Sequence, residues 1–207
     1  LHAQLADGYH LVRLLTPSAL DRESSRMQHC IGNGGYDGNL EDPDVSYLYL
    51  SLRDASGHPH ATLEIVDGVL TQLQGKQNDA PKDVYVEKLI PHIQSAGYGV
   101  SVPANRLGYV VDLQRRWHPV DRLPDGLRVT GNLDLRYAKR IPRGLHVDGS
   151  LNLKNCGLSR LPRDITVTGY LDLSGNPIKA LPKGLKVGGA LDLSKTAISS
   201  LPDDLEF

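Results

Sequence analysis

The sequence predicts an α+β domain, an antiparallel meander with two helices, over residues 1–117, followed by a solenoid of about four 20-residue units over 118–207. The solenoid rests on a phrase that recurs through the last ninety residues: Leu-Pro or Ile-Pro, a polar stretch with a second Leu or Ile, a Val, a Gly, then Leu-x-Leu and an aliphatic residue. These pairs begin at Leu123, Ile141, Leu161, Leu181 and Leu201, at spacings of 18, 20, 20 and 20. A fixed period of this size marks units too small to bury an apolar face alone, which do so only against their neighbours. The α+β domain rests on short alternating runs punctuated by turn formers, between two stretches of helical character.

In chain order, Tyr9 to Leu14 reads as a strand. Thr16-Pro17 then opens a helix, with a capping hydroxyl and a Pro at the first helical position. That helix is expected to run to about Cys30 and to end in Gly32-Asn-Gly-Gly35. Three strands follow, Ser46 to Arg53, His60 to Val66 and Val69 to Leu73. The first two are joined by the turn formers of Asp54 to Pro59, and the last two by Asp67-Gly68, a strong hairpin signal. Asp79-Ala-Pro81 starts a second helix with the apolar stripe Val86, Leu89, Ile90 and Ile93, a kink at Pro91 and a Gly97 cap. A last strand lies in Leu107 to Leu113, and Gln114 to Val120 leads into the first repeat.

The third repeat reads Leu171-Asp-Leu173-Ser-Gly-Asn176-Pro-Ile178-Lys-Ala-Leu181-Pro182. Alternation turns Leu171 and Leu173 inward and Asp172 outward. Cys156 and Thr196 stand where Asn176 does, so Cys156 has a structural explanation without chemistry. Three outward columns follow from the register: Asn132, Ser150, Tyr170 and Ala190; Asp134, Asn152, Asp172 and Asp192; Arg136, Lys154, Ser174 and Ser194. Asp172 and Asp192 then lie about 5 Å apart, a repulsion that a basic partner relieves. Tyr170 is an amphipathic anchor on a small polar face. This half resembles the short bacterial leucine-rich repeats of YopM- and IpaH-like secreted effectors and of phage-borne proteins, over 123–207. The resemblance implies a concave face that binds a protein partner. The ligase domain that follows such repeats in IpaH-like proteins has no counterpart in the sequence, so no ligase activity is assigned.

In the first half, four blocks carry a second resemblance: Glu23 to Gly32 with Met27-Gln-His29-Cys30-Ile31; Tyr49-Leu-Ser-Leu-Arg53-Asp54; His60-Ala-Thr62-Leu-Glu64-Ile65; and Gln72-Leu-Gln74-Gly75-Lys76-Gln-Asn78-Asp-Ala-Pro81. Together they resemble the PcfJ-like domain of conjugative plasmids and phages, over about residues 20–95. What this implies is an accessory protein of mobile elements.

Three chemical constellations follow from residue type. His29-Cys30 pairs a thiol with an imidazole, but neighbours on a helix point about 100° apart. A Cys in a last helical turn also faces the negative end of the dipole, which disfavours a thiolate, so a buried packing Cys is the competing expectation. His58 or His60 folding over Cys30 would rescue the dyad. A metal site from His29, Cys30, His58 and His60 matches no standard zinc spacing, so no metal and no cofactor are assigned. Asp54, Glu64, Gln74 and Lys76 invite a nuclease reading, yet the compact carboxylate-x-Lys spacing is missing. Arg53, Glu64, Gln74, Lys76 and Asn78 beside Cys30 would form a polar pocket, with Glu64 needing Arg53, Gln72, Gln74 or Lys76 as partner and Gly75 allowing close approach.

Bulk properties narrow the classes. With 23 basic and 24 acidic residues the net charge is −1, and either side of residue 117 it is −4 and +3. That is too mild for a nucleic-acid partner. No apolar run reaches 18 residues, so no membrane partner is expected. Two cysteines in different halves point to a reducing compartment. Leu1 in place of Met, and an end just past Leu201-Pro202, suggest a piece of a longer bacterial product, cytoplasmic or delivered to a host cell. The function read from the sequence is a protein-interaction module of an effector or mobile-element protein. The alternative is an enzyme with a Cys30- or Glu64-centred pocket and repeats that select its substrate, although no catalytic motif is complete.

Overall fold

A computed structural model describes residues 1–101, 107–136, 138, 140–202 and 205. The chain divides into two compact units, Leu1–Val102 and Pro103–Phe207.

The first unit is a six-stranded sheet with two helices. β1 (Ala3–Gln4), β2 (His10–Leu14), β3 (Tyr47–Arg53), β4 (Pro59–Val66) and β5 (Val69–Gln74) pair antiparallel in chain order. β6 (Gly99–Val100) then joins β5 in parallel, an edge strand the meander prediction lacks. Gly68 takes φ +76° and Asp67 φ +49°, the paired left-handed turn that Asp-Gly favours. Alternation separates the two faces of the sheet. Leu50, Leu52, Leu63, Ile65 and Leu73 belong to its buried apolar face, while Ser51, Thr62, Glu64, Gln72 and Gln74 share the other.

α1 (Pro17–Met27) lies against β4 on the polar face. Thr16 caps it, its Oγ1 accepting from the Ala19 N–H at 3.2 Å. The helix ends three residues short of Cys30, because Gln28 turns left-handed (φ +56°) while its N–H still bonds the Ser24 carbonyl. Cys30 is therefore outside the last helical turn, and it is exposed rather than a packed core thiol. α2 (Asp83–Ser95) starts four residues later than Asp79 and carries Pro91 inside it. Val86, Leu89 and Ile93 are its buried stripe, and Gly97 closes it at φ +70°.

The second unit opens with a hairpin of β7 (Tyr109–Val111) and β8 (Trp117–Pro119). Val110 joins the solenoid's apolar core, and the Leu113 N–H bonds the Arg128 carbonyl. Asp112 is the polar centre of this hairpin, accepting from Arg116 Nε (2.8 Å) and His118 Nε2 (2.9 Å). Burial alone would raise its pKa, but these donors, with the backbone N–H groups of Arg116 and Gln114, outweigh burial and hold it at about 2.

The solenoid has two parallel sheets rather than one. β9 (Arg128–Thr130), β11 (His146–Asp148), β13 (Thr166–Val167) and β15 (Lys186–Val187) stack in one. β10 (Leu133–Asp134), β12 (Leu151–Asn152), β14 (Leu171–Asp172) and β16 (Leu191–Asp192) stack in the other. The recurring Val of each repeat makes the first sheet, with Val129, Val147, Val167 and Val187 in register, and Leu-x-Leu makes the second. The chain passes between the sheets at glycines. At Gly169 a Cβ would come within 2.9 Å of the Gly149 carbonyl group, so only glycine lets successive turns stack this closely. The core runs through Leu145, Val147, Leu151, Leu153, Ile165, Leu171, Leu173, Ile178 and Leu185, each fully buried.

Asn176 anchors this stack. It is fully buried, donates from Nδ2 to the Leu153 and Leu173 carbonyls at 2.8 Å, and accepts from the Leu158 N–H at 3.0 Å. Cys156 and Thr196 occupy the same place one turn to either side and donate to the Leu135 and Leu193 carbonyls. Burial pushes the Cys156 thiol up, as suits a structural residue.

Candidate functional site

The polar face of the first sheet, α1 and the loop after it enclose a pocket lined by His29, Cys30, Ile31, Tyr36, Thr62, Glu64, Gln72, Gln74 and Asn78. Its enclosed volume is about 20 Å³, room for roughly one water-sized group. Of the expected cluster, Glu64, Gln74, Asn78 and Cys30 do meet here. Arg53 and Lys76 do not line it. Lys76 is exposed in the turn Lys76–Asn78, and Gly75 allows close approach to the backbone of Ala80 and Pro81 rather than to the pocket.

Arg53 is instead held by Glu23, which is not among the candidate site residues expected from the sequence. Glu23 is fully buried on α1, its Oε2 accepting from Arg53 Nη2 at 2.8 Å and its Oε1 from Thr62 Oγ1 at 3.0 Å. The signal for it was present. Leu20, Glu23, Ser24 and Met27 follow helical spacing, which places Glu23 on the buried stripe.

The chain of donors continues to His29. Thr62 has one hydroxyl hydrogen and gives it to Glu23, so its 2.8 Å contact with His29 Nε2 requires the proton on that nitrogen. Burial holds the imidazole below its ordinary value, hence neutral, although its own backbone and Glu23 pull the other way. Nδ1 is then a bare acceptor, buried and without a hydrogen-bond partner. Ser24 Oγ donates to the His29 carbonyl and locks the segment to α1.

Cys30 turns away from this relay. Its Sγ lies 3.7 Å from Asn78 Oδ1 and 3.9 Å from the Tyr36 hydroxyl. His29 Nδ1 makes no bond to it, so the adjacent pair is not a nucleophile-base dyad. His58 and His60 do not fold over Cys30 either. Both meet Asp54, at 3.6 and 3.0 Å, and the His60 hydrogen bond, followed by the backbone N–H of His58, lowers Asp54 to about 2. Among the described residues no group of three or more His, Cys, Asp or Glu is placed to hold a metal ion.

Glu64 finds its partners across the strand. A bulge in β5 leaves Thr71 between the register pairs Glu64–Gln72 and Ile65–Leu70. Thr71 Oγ1 donates to Glu64 Oε1 at 2.7 Å, Gln72 Nε2 lies 3.4 Å from both carboxylate oxygens, and Gln74 donates to Gln72 at 3.5 Å. Gln72, one of the four partners expected for Glu64, meets it here.

Histidines whose neutral form the fold favours make this unit acid-sensitive. Burial lowers His29, His92 and His2 alike. A folded-state value below the unfolded one leaves stability intact above pH 6.5 and erodes it as pH falls further, because the unfolded chain takes up protons the folded one refuses. The urea midpoint of the first unit is expected to fall between pH 7.5 and 5.5, and His29→Gln to blunt that slope.

In the second unit the outward columns of the β10–β12–β14–β16 sheet have two kinds of work. Asp134, Asn152, Asp172 and Asp192 stand in register, and each uses Oδ1 to accept the N–H two residues on, at 3.1, 3.1, 2.9 and 2.8 Å. These are Asx turns that end each strand. Asp134 spends its charge on Arg136, at 2.6 Å. In the next column Asn132 accepts the Ser150 N–H and Ser150 accepts the Tyr170 N–H. Tyr170 breaks that ladder: it is 39% exposed and its hydroxyl reaches Asp192 at 3.3 Å. Burial, Asp172 and Asp192 all raise the phenol, which stays neutral. In the third column Ser174 is buried rather than outward.

No protein-family model matches the chain, and no curated protein or solved structure matches it. Among the described residues no helix is long and apolar enough to cross a membrane.

Proposed function

We propose that the chain is a bacterial protein-interaction module. Its solenoid is of the leucine-rich-repeat class with about four units, and the outward face of β10–β12–β14–β16 binds a protein partner. The observation that carries this reading is Tyr170. Its neighbours Asn132 and Ser150 hold backbone amides, whereas Tyr170 supports none and presents its ring beside Asp172 and Asp192. A large amphipathic side chain next to two carboxylates suits a partner with an apolar contact ringed by Lys or Arg. The PcfJ-like reading of the first unit supports an origin in a mobile element, or in an effector delivered to another cell.

The test is affinity for the partner recovered by cross-linking from donor or recipient cells. Tyr170→Ser is expected to weaken binding by about tenfold or more, the loss typical of an interface anchor, with the melting temperature unchanged. Equal affinity of Tyr170→Ser and the native chain would remove this face from the interface.

A further inference from the structure

A second cavity in the first unit, of about 310 Å³, is lined by four arginines and no carboxylate: Arg13 from β2, Arg22 and Arg26 from α1, and Arg53 from β3. Val12, Leu14 and Ala19 complete its walls. The nearby acid, Glu23, is buried and already committed to Arg53 and Thr62. Among the described residues Arg13, Arg22 and Arg26 form no ion pair, and all three are exposed. Arg22 and Arg26 sit four apart on one helix, a like-charge pair that costs rather than stabilises. Arg26 lies in the last turn, where the dipole favours a cation, but Arg22 has no such compensation.

This is an unusual use of arginine in a unit whose net charge is negative. Guanidinium presents fixed forks of donors that match oxyanions two at a time, and a cavity of this size admits a small phosphorylated molecule. Arg53 supplies a preorganised member of the set: Glu23 fixes its Nη2, and Ser51 Oγ accepts from its Nε at 3.2 Å.

We propose that the cavity between β2 and α1 binds a phosphate-bearing small molecule, with Arg13, Arg22 and Arg26 as its ligands and Arg53 as the anchored wall. The bound anion relieves the repulsion among the three unpaired guanidiniums. A diphosphate suits it better than a single phosphate, because three guanidinium charges exceed the roughly −1.5 to −2 that one phosphate carries at neutral pH.

The experiment is calorimetric titration of the intact chain with pyrophosphate, inorganic phosphate and a 12-nucleotide single-stranded DNA, at low salt. Pyrophosphate is expected to saturate with Kd below about 1 mM and to bind more tightly than phosphate. Arg22→Ala and Arg26→Ala are each expected to weaken it about tenfold or more, and Arg22→Lys to lose most of the same binding, since a lysine lacks the fork. These exposed positions leave the fold intact, which a melting curve checks, whereas Arg53 is left unchanged so that Glu23 keeps its partner. The proposal is overturned if pyrophosphate shows no saturable binding, if it binds the Arg22→Ala/Arg26→Ala chain as well as the native one, or if the oligonucleotide alone binds through these arginines.

Discussion

Glu23→Ala is expected to destabilise the first unit by about 3 kcal/mol, the scale set by breaking a buried pair from one side. The substitution removes the acceptor of two hydrogen bonds at once and leaves the Arg53 guanidinium facing a cavity wall with no counter-charge. Thr62 then has its hydroxyl hydrogen free, and the donor order that fixes the His29 tautomer is lost. Urea unfolding of the intact chain measures the first loss. The ring nitrogen shifts of His29 measure the second, and they are expected to show the proton no longer confined to Nε2. Replacing both partners, as in Glu23→Leu/Arg53→Met, is expected to recover most of the stability, because an apolar pair of similar bulk leaves no charge stranded. A double variant as unstable as Glu23→Ala would contradict this account of the pair.

Asn176→Ala is the counterpart in the solenoid, with an expected cost of about 3 kcal/mol from three unsatisfied backbone groups. Leu153, Leu173 and Leu158 each lose a partner, and they belong to neighbouring turns, so the damage crosses the stack. Hydrogen exchange is the appropriate readout. Amides of β12 and β14 are expected to lose protection together, while β2–β4 keep theirs. Asn176→Cys is expected to cost less, since Cys156 already fills the equivalent place one turn earlier, its thiol directed at the Leu135 and Lys154 carbonyls.

What was legible in the sequence was local. Thr16-Pro17, Asp67-Gly68 and the 20-residue period are signals whose physics lies within a few residues, and the elements stand where they indicate. The end of α1 was not legible, because Gln28 adopts a left-handed conformation for which Gln has no preference of its own. The partner of Arg53 was misjudged for a geometric reason. Tyr49 opposes Glu64 across β3 and β4, so Arg53 lies four residues further along the strand, about 13 Å away. The bulge that brings Thr71 to Glu64 leaves no mark in residue type. The second solenoid sheet was hidden because it rests on two or three residues per turn with a single constant Val, too little to read as a strand.

The outward aspartates combine a legible register with a role that residue type does not reveal. Their register followed from the period, but their turn-capping role did not, and that role separates charge from structure. Asn152 holds its turn as the aspartates do, so an Asn retains the Oδ1 acceptor and removes only the charge. The most direct test of the proposed interface is therefore the affinity of Asp172→Asn/Asp192→Asn for the cross-linked partner, beside a melting curve of the same protein. The expected result is an unchanged melting temperature with affinity reduced about tenfold or more and a weaker dependence on salt. Unchanged affinity in a folded double variant would contradict it, leaving the aspartates as turn caps and nothing more.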